Sequence, residues 1–313
     1  MSKRAATLKA LRVRAVLVPL RRPVIAGIGR FDQWPLILVD LETNSGIIGR
    51  SYVAPYRAAA VPSIAAELRD LAAMFQGKAI TPHDVFEASL KSLNVVGLAG
   101  VSTIATSALD MALWDALAKE AGLPLVQLLG GSIGPVRAYN SNGLWRHEVS
   151  TLFAEARSLQ EEGGFSAMKL RLGNAHLKDD LAALNAVRDG VGADIDLMVD
   201  FNQALGLGDA IRRCHELDEK GIYWFEEPIS YDNVRGYAQL AQQVRTPCKW
   251  ARTTTARATS SRSSPRGRST TRWRTSCGSA ASRGGFERLG WPVLPAFSSP
   301  IISTPRYRRI SCA

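Results

Sequence analysis

Apolar and polar positions along this 313-residue chain change period more than once. Over roughly the first 55 residues they follow the period-two pattern of strands. Leu11, Arg12, Val13, Arg14 and Ala15 alternate as a half-exposed strand does, and Leu36-Ile37-Leu38-Val39 reads as a buried-strand run. Asn44-Ser45-Gly46 marks a turn into Ile47-Ile48, so residues 8–55 are predicted to form a strand meander. The period then lengthens to that of helices over 61–75 and 83–93. A longer helix is expected over 103–121, where small apolar residues crowd one face and Gly122 is placed to end it. Strands first and helices after predict an α+β domain over residues 1–131.

From Val136 the pattern alternates. Short apolar strands are expected at 136–139, 167–172, 195–199 and 222–226, with helices near 148–162, 177–190, 208–220 and 233–244, and a further strand starts at Pro247-Cys248. This spacing predicts parallel βαβ units over 132–249, as a barrel or a doubly wound sheet. No glycine-rich phosphate loop follows the first of these strands, which argues against a dinucleotide fold.

Charge adds a boundary. From Trp250 to Ala313 there are twelve Arg, no Lys, no Asp and a single acidic residue, Glu287. The 27 basic and 27 acidic residues of 1–249 balance, so the whole formal charge of +11 resides in the tail, 250–313. Cys214, Cys248, Cys277 and Cys312 show no metal-type spacing, which fits a reducing compartment better than a disulfide framework. Lys3 and Arg4 precede apolar residues as in a signal peptide, but Arg12 and Arg14 interrupt that stretch and no apolar run reaches spanning length. A cytoplasmic protein without membrane association is expected.

Three candidate groups fall at the C-terminal ends of successive strands. Lys169 and Arg171, two apart, share one strand face. Asp200 ends Leu197-Met198-Val199-Asp200 and precedes Asn202; Glu226 ends Tyr223-Trp224-Phe225-Glu226 and precedes Glu227 and Pro228. Each has a plainer reading: the cations as barrel ion pairs, Asp200 as cap of the following helix, the two glutamates as a solvated turn. Together they describe a divalent-metal site facing a basic pair. Hard Mg²⁺ prefers carboxylate oxygens, its charge stabilises an enolate formed beside a carboxylate, and a nearby lysine can remove the α-proton.

The body, roughly 8–249, resembles the enolase superfamily in its mandelate racemase and muconate-lactonizing branch. Two signatures carry the resemblance. One runs Ala105-Thr106-Ser107-Ala108-Leu109-Asp110-Met111-Ala112-Leu113-Trp114-Asp115 and continues to Pro124-Leu125 and Leu128-Leu129-Gly130; the other joins Val199-Asp200-Phe201-Asn202 to Glu226-Glu227-Pro228. It implies an α+β capping domain followed by a (β/α)7β-type TIM barrel, here incomplete with about four βα units and an aberrant tail. It implies Mg²⁺ held by Asp200, Glu226 and a third carboxylate from the next strand. Asn202, Glu227 and Tyr56 would lie on the substrate side, with loops near Val24 to Gly29 and Tyr52 to Tyr56 covering a small carboxylate. The implied activity is that of a racemase or an acid-sugar dehydratase, in a homo-oligomer when full length. One departure is Lys169-Leu170-Arg171, where the family usually carries Lys-x-Lys; arginine stays protonated and is a poor base, which favours a one-base reaction such as dehydration.

The tail is the other departure. The third carboxylate is due about three residues after Lys249, where the chain reads Trp250-Ala251-Arg252-Thr253. With codons TGG GCG AGA ACT ACT ACG for Trp250 to Thr255, one restored pyrimidine gives Leu-Gly-Glu-Asn-Tyr-Tyr. Stretches 269–279 and 298–308 recode in the same register into segments resembling later parts of the family's barrel. A one-nucleotide deletion at the Lys249–Trp250 boundary accounts for the charge break and leaves an impaired enzyme. The rival readings are a nucleic-acid-binding tail, with Trp273 and Trp291 stacking on bases, and a non-catalytic remnant. Apolar stretches such as Trp291-Pro292-Val293-Leu294 and the lack of an RNA-binding motif count against the former.

Overall fold

The computed structural model describes residues 5–26, 29–250 and 308–309. The readings made for residues 27–28 and for the tail over 251–307 and 310–313 lie outside the described residues. The chain divides into two compact units. Of the described residues, one unit holds those up to Leu20, Gln33–Gly134 and Arg308–Arg309; the other holds Arg21–Asp32 and Pro135–Trp250.

The first unit is an antiparallel sheet backed by helices. Strands β1 (Leu8–Ala26), β2 (Gly29–Thr43) and β3 (Ile48–Val53) form the expected meander, with β2 between the other two. β8 (Arg308–Arg309) adds antiparallel to β1 beside Val16 and Leu17. Gly46, at φ 85°, makes the β2–β3 turn in a conformation that favours glycine. Along β2, Ile37, Val39 and Leu41 are buried while Leu36 and Leu38 are only half-buried. The apolar run is therefore a one-faced strand rather than one buried on both sides, because helices cover a single face of this antiparallel sheet.

Those helices are α1 (Val61–Phe75), α2 (Pro82–Ser92) and α3 (Val101–Ala121), followed by the short α4 (Leu125–Leu128). Gly122, left-handed at φ 67°, caps α3 by donating its N–H to Lys119 O (3.1 Å). The small residues of α3 have a purpose: they let β3 approach closely. Ser51 Oγ donates to Ala108 O (2.6 Å), Arg50 N to Asp115 Oδ2 (2.7 Å) and Lys119 Nζ to Ile48 O (2.9 Å). An edge strand that would otherwise present unpaired groups is thus tied to a helix.

The second unit is a parallel sheet of β4 (Ala167–Arg171), β5 (Asp196–Asp200), β6 (Ile222–Glu226) and β7 (Cys248–Lys249), in that order. Helices α5 (Val149–Glu161), α6 (Leu177–Val191), α7 (Leu207–Leu217) and α8 (Val234–Gln243) alternate with the strands. Met168, Leu170, Leu197, Val199 and Phe225 turn one face of the sheet into the main core with these helices. Ala167, Met198 and Trp224, with Tyr139, form a small apolar layer on the other face.

The strand expected at 136–139 does not form. The segment meets β4 through a single bridge, Asn140 to Met168, with Asn140 N donating to Ala167 O (2.9 Å) and Lys169 N to Asn140 O (3.0 Å). Val136 lies 77 % exposed, and the Asn140 side chain donates to Leu159 O (3.0 Å) rather than continuing a ladder. Apolar sequence alone does not make a strand where only one residue reaches the neighbour's register. Among the described residues no helix is long and apolar enough to cross a membrane.

Candidate active site

The parallel register aligns the strand ends in one row. Arg171 pairs with Asp200, Asp200 with Glu226, and Glu226 with Lys249. Lys169 lies two residues before Arg171 on the same face of β4, by the alternation of side chains along a strand. The row thus reads cation, anion, anion, cation, directly beyond the apolar layer of Ala167, Met198 and Trp224.

Lys169 holds the two carboxylates together. Its Nζ lies 3.0 Å from Asp200 Oδ2 and 3.3 Å from Glu226 Oε1, and all three side chains are 5 % exposed or less. Buried carboxylates this close to each other require a cation between or beside them. Glu226 Oε2 has its own donors, Trp224 Nε1 at 3.2 Å and Lys249 Nζ at 3.3 Å. Lys249 also sits over the Trp224 ring, 4.6 Å from its centre. Asp200 Oδ1 accepts from Asn202 N (2.8 Å).

Two of the plainer readings are thereby corrected. Asp200 does not cap the next helix: α7 begins at Leu207 behind Gly206, and the carboxylate bonds within its own turn. Glu226 and Glu227 are not a solvated turn, being 1 % and 8 % exposed. Asn202, Gln203 and Glu227 all adopt left-handed φ, of 47°, 62° and 46°. Such backbone costs energy in residues other than glycine, and it recurs at functional sites. Here it bends the chain beyond β5 and β6 into mutual contact: Gln203 N donates to Glu227 O (2.7 Å), and Gln203 Nε2 to Glu227 Oε2 (3.4 Å). Asn202 Oδ1 is buried without a hydrogen-bond partner among the described residues.

Arg171 shares a strand face with Lys169 but takes different partners. Its Nη1 donates to Gly143 O (2.7 Å) and Lys169 O (3.2 Å), its Nη2 to Ser141 Oγ (3.1 Å), and its guanidinium lies 3.8 Å from the centre of the Trp145 ring. The loop 141–145 therefore fixes it as a flat, permanently charged group. Tyr56 lies in the first unit, at φ 60°, packed edge-on against Trp34 with ring centres 4.9 Å apart. Lys249, Trp224, Trp145 and Ser141 were not among the sequence candidates. For Lys249 the signal was present, since it ends an apolar strand start as Asp200 and Glu226 end theirs. Among the described residues the two thiols are held protonated: burial pushes Cys248 up to about 12 and raises Cys214 further.

Comparison with known proteins identifies the family. Residues 9–130 match the model of the mandelate racemase / muconate lactonizing enzyme N-terminal domain, and residues 151–258 match that of the enolase C-terminal domain-like family. An enolase from an alpha proteobacterium, bal199, solved with bound magnesium, shares 45 % identity and superposes with a TM-score of 0.75, covering 78 % of this chain and 68 % of that one. The chain belongs to the mandelate racemase and muconate lactonizing family of the enolase superfamily. An enolase from Bradyrhizobium, complexed with magnesium and mandelic acid, is 35 % identical with a TM-score of 0.74, over 79 % of this chain and 68 % of that one. Among curated relatives, the L-talarate/galactarate dehydratase of Salmonella typhimurium is 32 % identical over 246 residues, 76 % of this chain and 61 % of the relative. The chain thus spans about three fifths of that relative's length. Other relatives include dehydratases, epimerases and racemases. The fold is that of the superfamily, a capping-type α+β unit and a β/α barrel-type unit, and the family uses Mg²⁺.

The residues present fit Mg²⁺ in part. Asp200 and Glu226 are hard oxygen donors on adjacent strand ends, buried and already sharing a cation. Among the described residues no group of three His, Cys, Asp or Glu side chains is placed to hold a metal. The described residues therefore offer two carboxylates that could serve as ligands, fewer than a complete Mg²⁺ site uses.

Proposed function

We propose that this chain carries the catalytic half-site of an enzyme that removes the proton α to a carboxylate, on a 2-hydroxy acid or an acid sugar. The observation that carries the reading is the buried Lys169 Nζ, 3.0 Å from Asp200 and 3.3 Å from Glu226 at adjacent strand ends. Asp200 and Glu226 would hold Mg²⁺, which when bound supplies positive charge beside the substrate carboxylate. Lys169 Nζ, once its ammonium has given up a proton, accepts the α-proton, and the electron pair of the C–H bond moves into the substrate carboxylate. Arg171, pinned against Trp145, adds fixed charge to the developing oxyanion and keeps its own protons. Asn202 and Glu227, on the left-handed turns, face the substrate.

One base favours dehydration over racemisation, because inversion requires a second group that exchanges a proton on the opposite face. In dehydration the β-hydroxyl leaves as water, taking the proton that Lys169 Nζ has just accepted, as the electron pair returns from the carboxylate to form the C=C bond. The chain as written is an impaired form of this enzyme, since two carboxylates stand where the family's metal site uses three.

The test is α-proton exchange in D₂O, read by NMR, over a panel that includes mandelate and galactarate with Mg²⁺. The parent chain, a version with one base restored before the Trp250 codon, and Lys169→Met in each are compared. Exchange that appears or rises on restoration and vanishes with Lys169→Met supports the reading. Exchange indifferent to Lys169→Met, or absent from both versions, sinks it.

A further inference from the structure

The two carboxylates of the strand-end row are balanced by two ammonium groups, and only one of these, Lys169, lies between them. Lys249 approaches from the far side, 3.3 Å from Glu226 Oε2, with its side chain 23 % exposed against 2 % for Glu226. Trp224 assists in two ways. Its indole N–H donates to the same oxygen at 3.2 Å, and its ring lies beneath the ammonium, 4.6 Å from centre to Nζ. One oxygen of Glu226 is thus engaged by Lys249 and Trp224, while the other lies 3.3 Å from Lys169 Nζ.

We infer that Lys249 is a positioning residue acting through Glu226: a resident counter-charge that sets how tightly the Asp200–Glu226 pair takes a divalent cation. The inference rests on the reading of that pair as the metal site. Two like charges on a shared carboxylate oppose each other, and the low-dielectric surroundings of Glu226 leave this opposition poorly screened. Lys249 keeps the pair neutral in the absence of metal, and lowers its affinity for a second cation.

The probe is Mn²⁺ alone, titrated into the full 313-residue chain and followed by the loss of free-ion electron paramagnetic resonance signal. Lys249→Met should bind Mn²⁺ at least about tenfold tighter, a floor well below the full interaction of adjacent charges at an effective dielectric of about 20 because water screens the partly exposed ammonium. Lys249→Arg, which keeps the charge, should return to the parent affinity. Lys249→Gln serves as a second neutral variant, and near-ultraviolet circular dichroism without metal establishes that each is folded. Asp200→Asn separates the two levels of the claim. If it abolishes binding but the neutral Lys249 variants bind no tighter than the parent, the metal site stands and the role of Lys249 is overturned. If binding is indifferent to Asp200→Asn, or absent from parent and neutral variants alike, the carboxylate pair is not a metal site and the inference falls with it.

Discussion

Arg213 on α7 places Nη1 2.5 Å from Asp180 Oδ2 on α6, and the two side chains are 4 % and 0 % exposed. The pair does more than join two helices. Asp180 Oδ1 accepts the backbone N–H groups of Gly173 (3.0 Å) and Asn174 (2.9 Å), and Arg213 donates to Asn174 O (2.8 Å) and Ala175 O (3.1 Å). The turn that leaves β4, two residues after Arg171, is therefore held by an ion pair from beneath.

Removing Arg213 strands the Asp180 carboxylate in the core, and removing Asp180 leaves Arg213 with its half-exposed partner Asp209, 2.8 Å from Nε. Arg213→Met and Asp180→Asn should each lower stability by about 3–5 kcal/mol, the range for breaking a buried pair. Arg213→Met with Asp180→Asn should cost less than the two losses added together, because the buried ion pair is removed as a whole. Urea unfolding of the four chains measures this; single losses below about 1 kcal/mol would show that the pair organises nothing.

Asp110 gives the molecule an unusual pH response. It lies within α3, its Oδ1 buried without a partner among the described residues, and burial raises its pKa to about 7 despite a hydrogen bond from Trp114. An unfolded aspartate titrates near 3.8. Between these values the folded state holds a proton that the unfolded state has lost, so this group's effect is to lower stability as pH rises from about 4 to about 7 and to leave it level above. A tenfold difference in proton affinity between the two states is worth about 1.4 kcal/mol, which makes the full effect a few kcal/mol. Asp110→Asn removes the slope. Its melting temperature should exceed the parent's at pH 8 and approach it at pH 4; a difference that does not change with pH would overturn the assignment.

How much of this was legible in sequence depends on what each residue depends on. Helices α1, α3 and α6 and strands β4 to β6 follow from local apolar periods, and the row of Asp200 and Glu226 follows from the rule that barrel chemistry gathers at strand ends. The bridge in place of a strand at 136–139 was not legible, because pairing is decided by a neighbour that local pattern does not reveal. Nor was the parting of Lys169 and Arg171, which share a face by spacing yet are drawn apart by the 141–145 loop. Asp110 stood in the sequence as part of a signature; the lack of a partner for its Oδ1 among the described residues is a property of packing alone.

Gly49 shows how closely β3 and α3 fit. A Cβ placed there would lie 2.1 Å from Ala112 O and 2.7 Å from Ala116 Cβ, with helix backbone on one side and sheet on the other. Neither can yield without moving the element. Gly49→Ala should therefore destabilise the first unit by at least the roughly 1–3 kcal/mol typical of overpacking, although alanine is the better residue for an ordinary strand. Protease resistance of the 33–134 region, compared with Gly46→Ala in the open β2–β3 turn, measures it. A Gly49→Ala chain as resistant as the parent would mean that β3 and α3 do not pack this closely.

The charge break after Lys249 leads to the last prediction. We propose that one pyrimidine was lost at the Lys249–Trp250 boundary, so that the carboxylate due after β7 was replaced by the run Trp250-Ala251-Arg252-Thr253. The nucleotide sequence decides this directly: one restored base must give a glutamate three residues after Lys249, followed by an open frame without the arginine excess. Function supplies an independent reading. A third hard oxygen ligand completes the set that Asp200 and Glu226 begin, so the restored chain should bind Mn²⁺ at least tenfold tighter than the 313-residue form, equivalent to about 1.4 kcal/mol. Replacing the restored glutamate with glutamine should return the affinity to that of the present chain. If the base is restored and neither the glutamate nor the gain in affinity appears, the tail has another origin, and nothing from this position completes the Asp200–Glu226 pair.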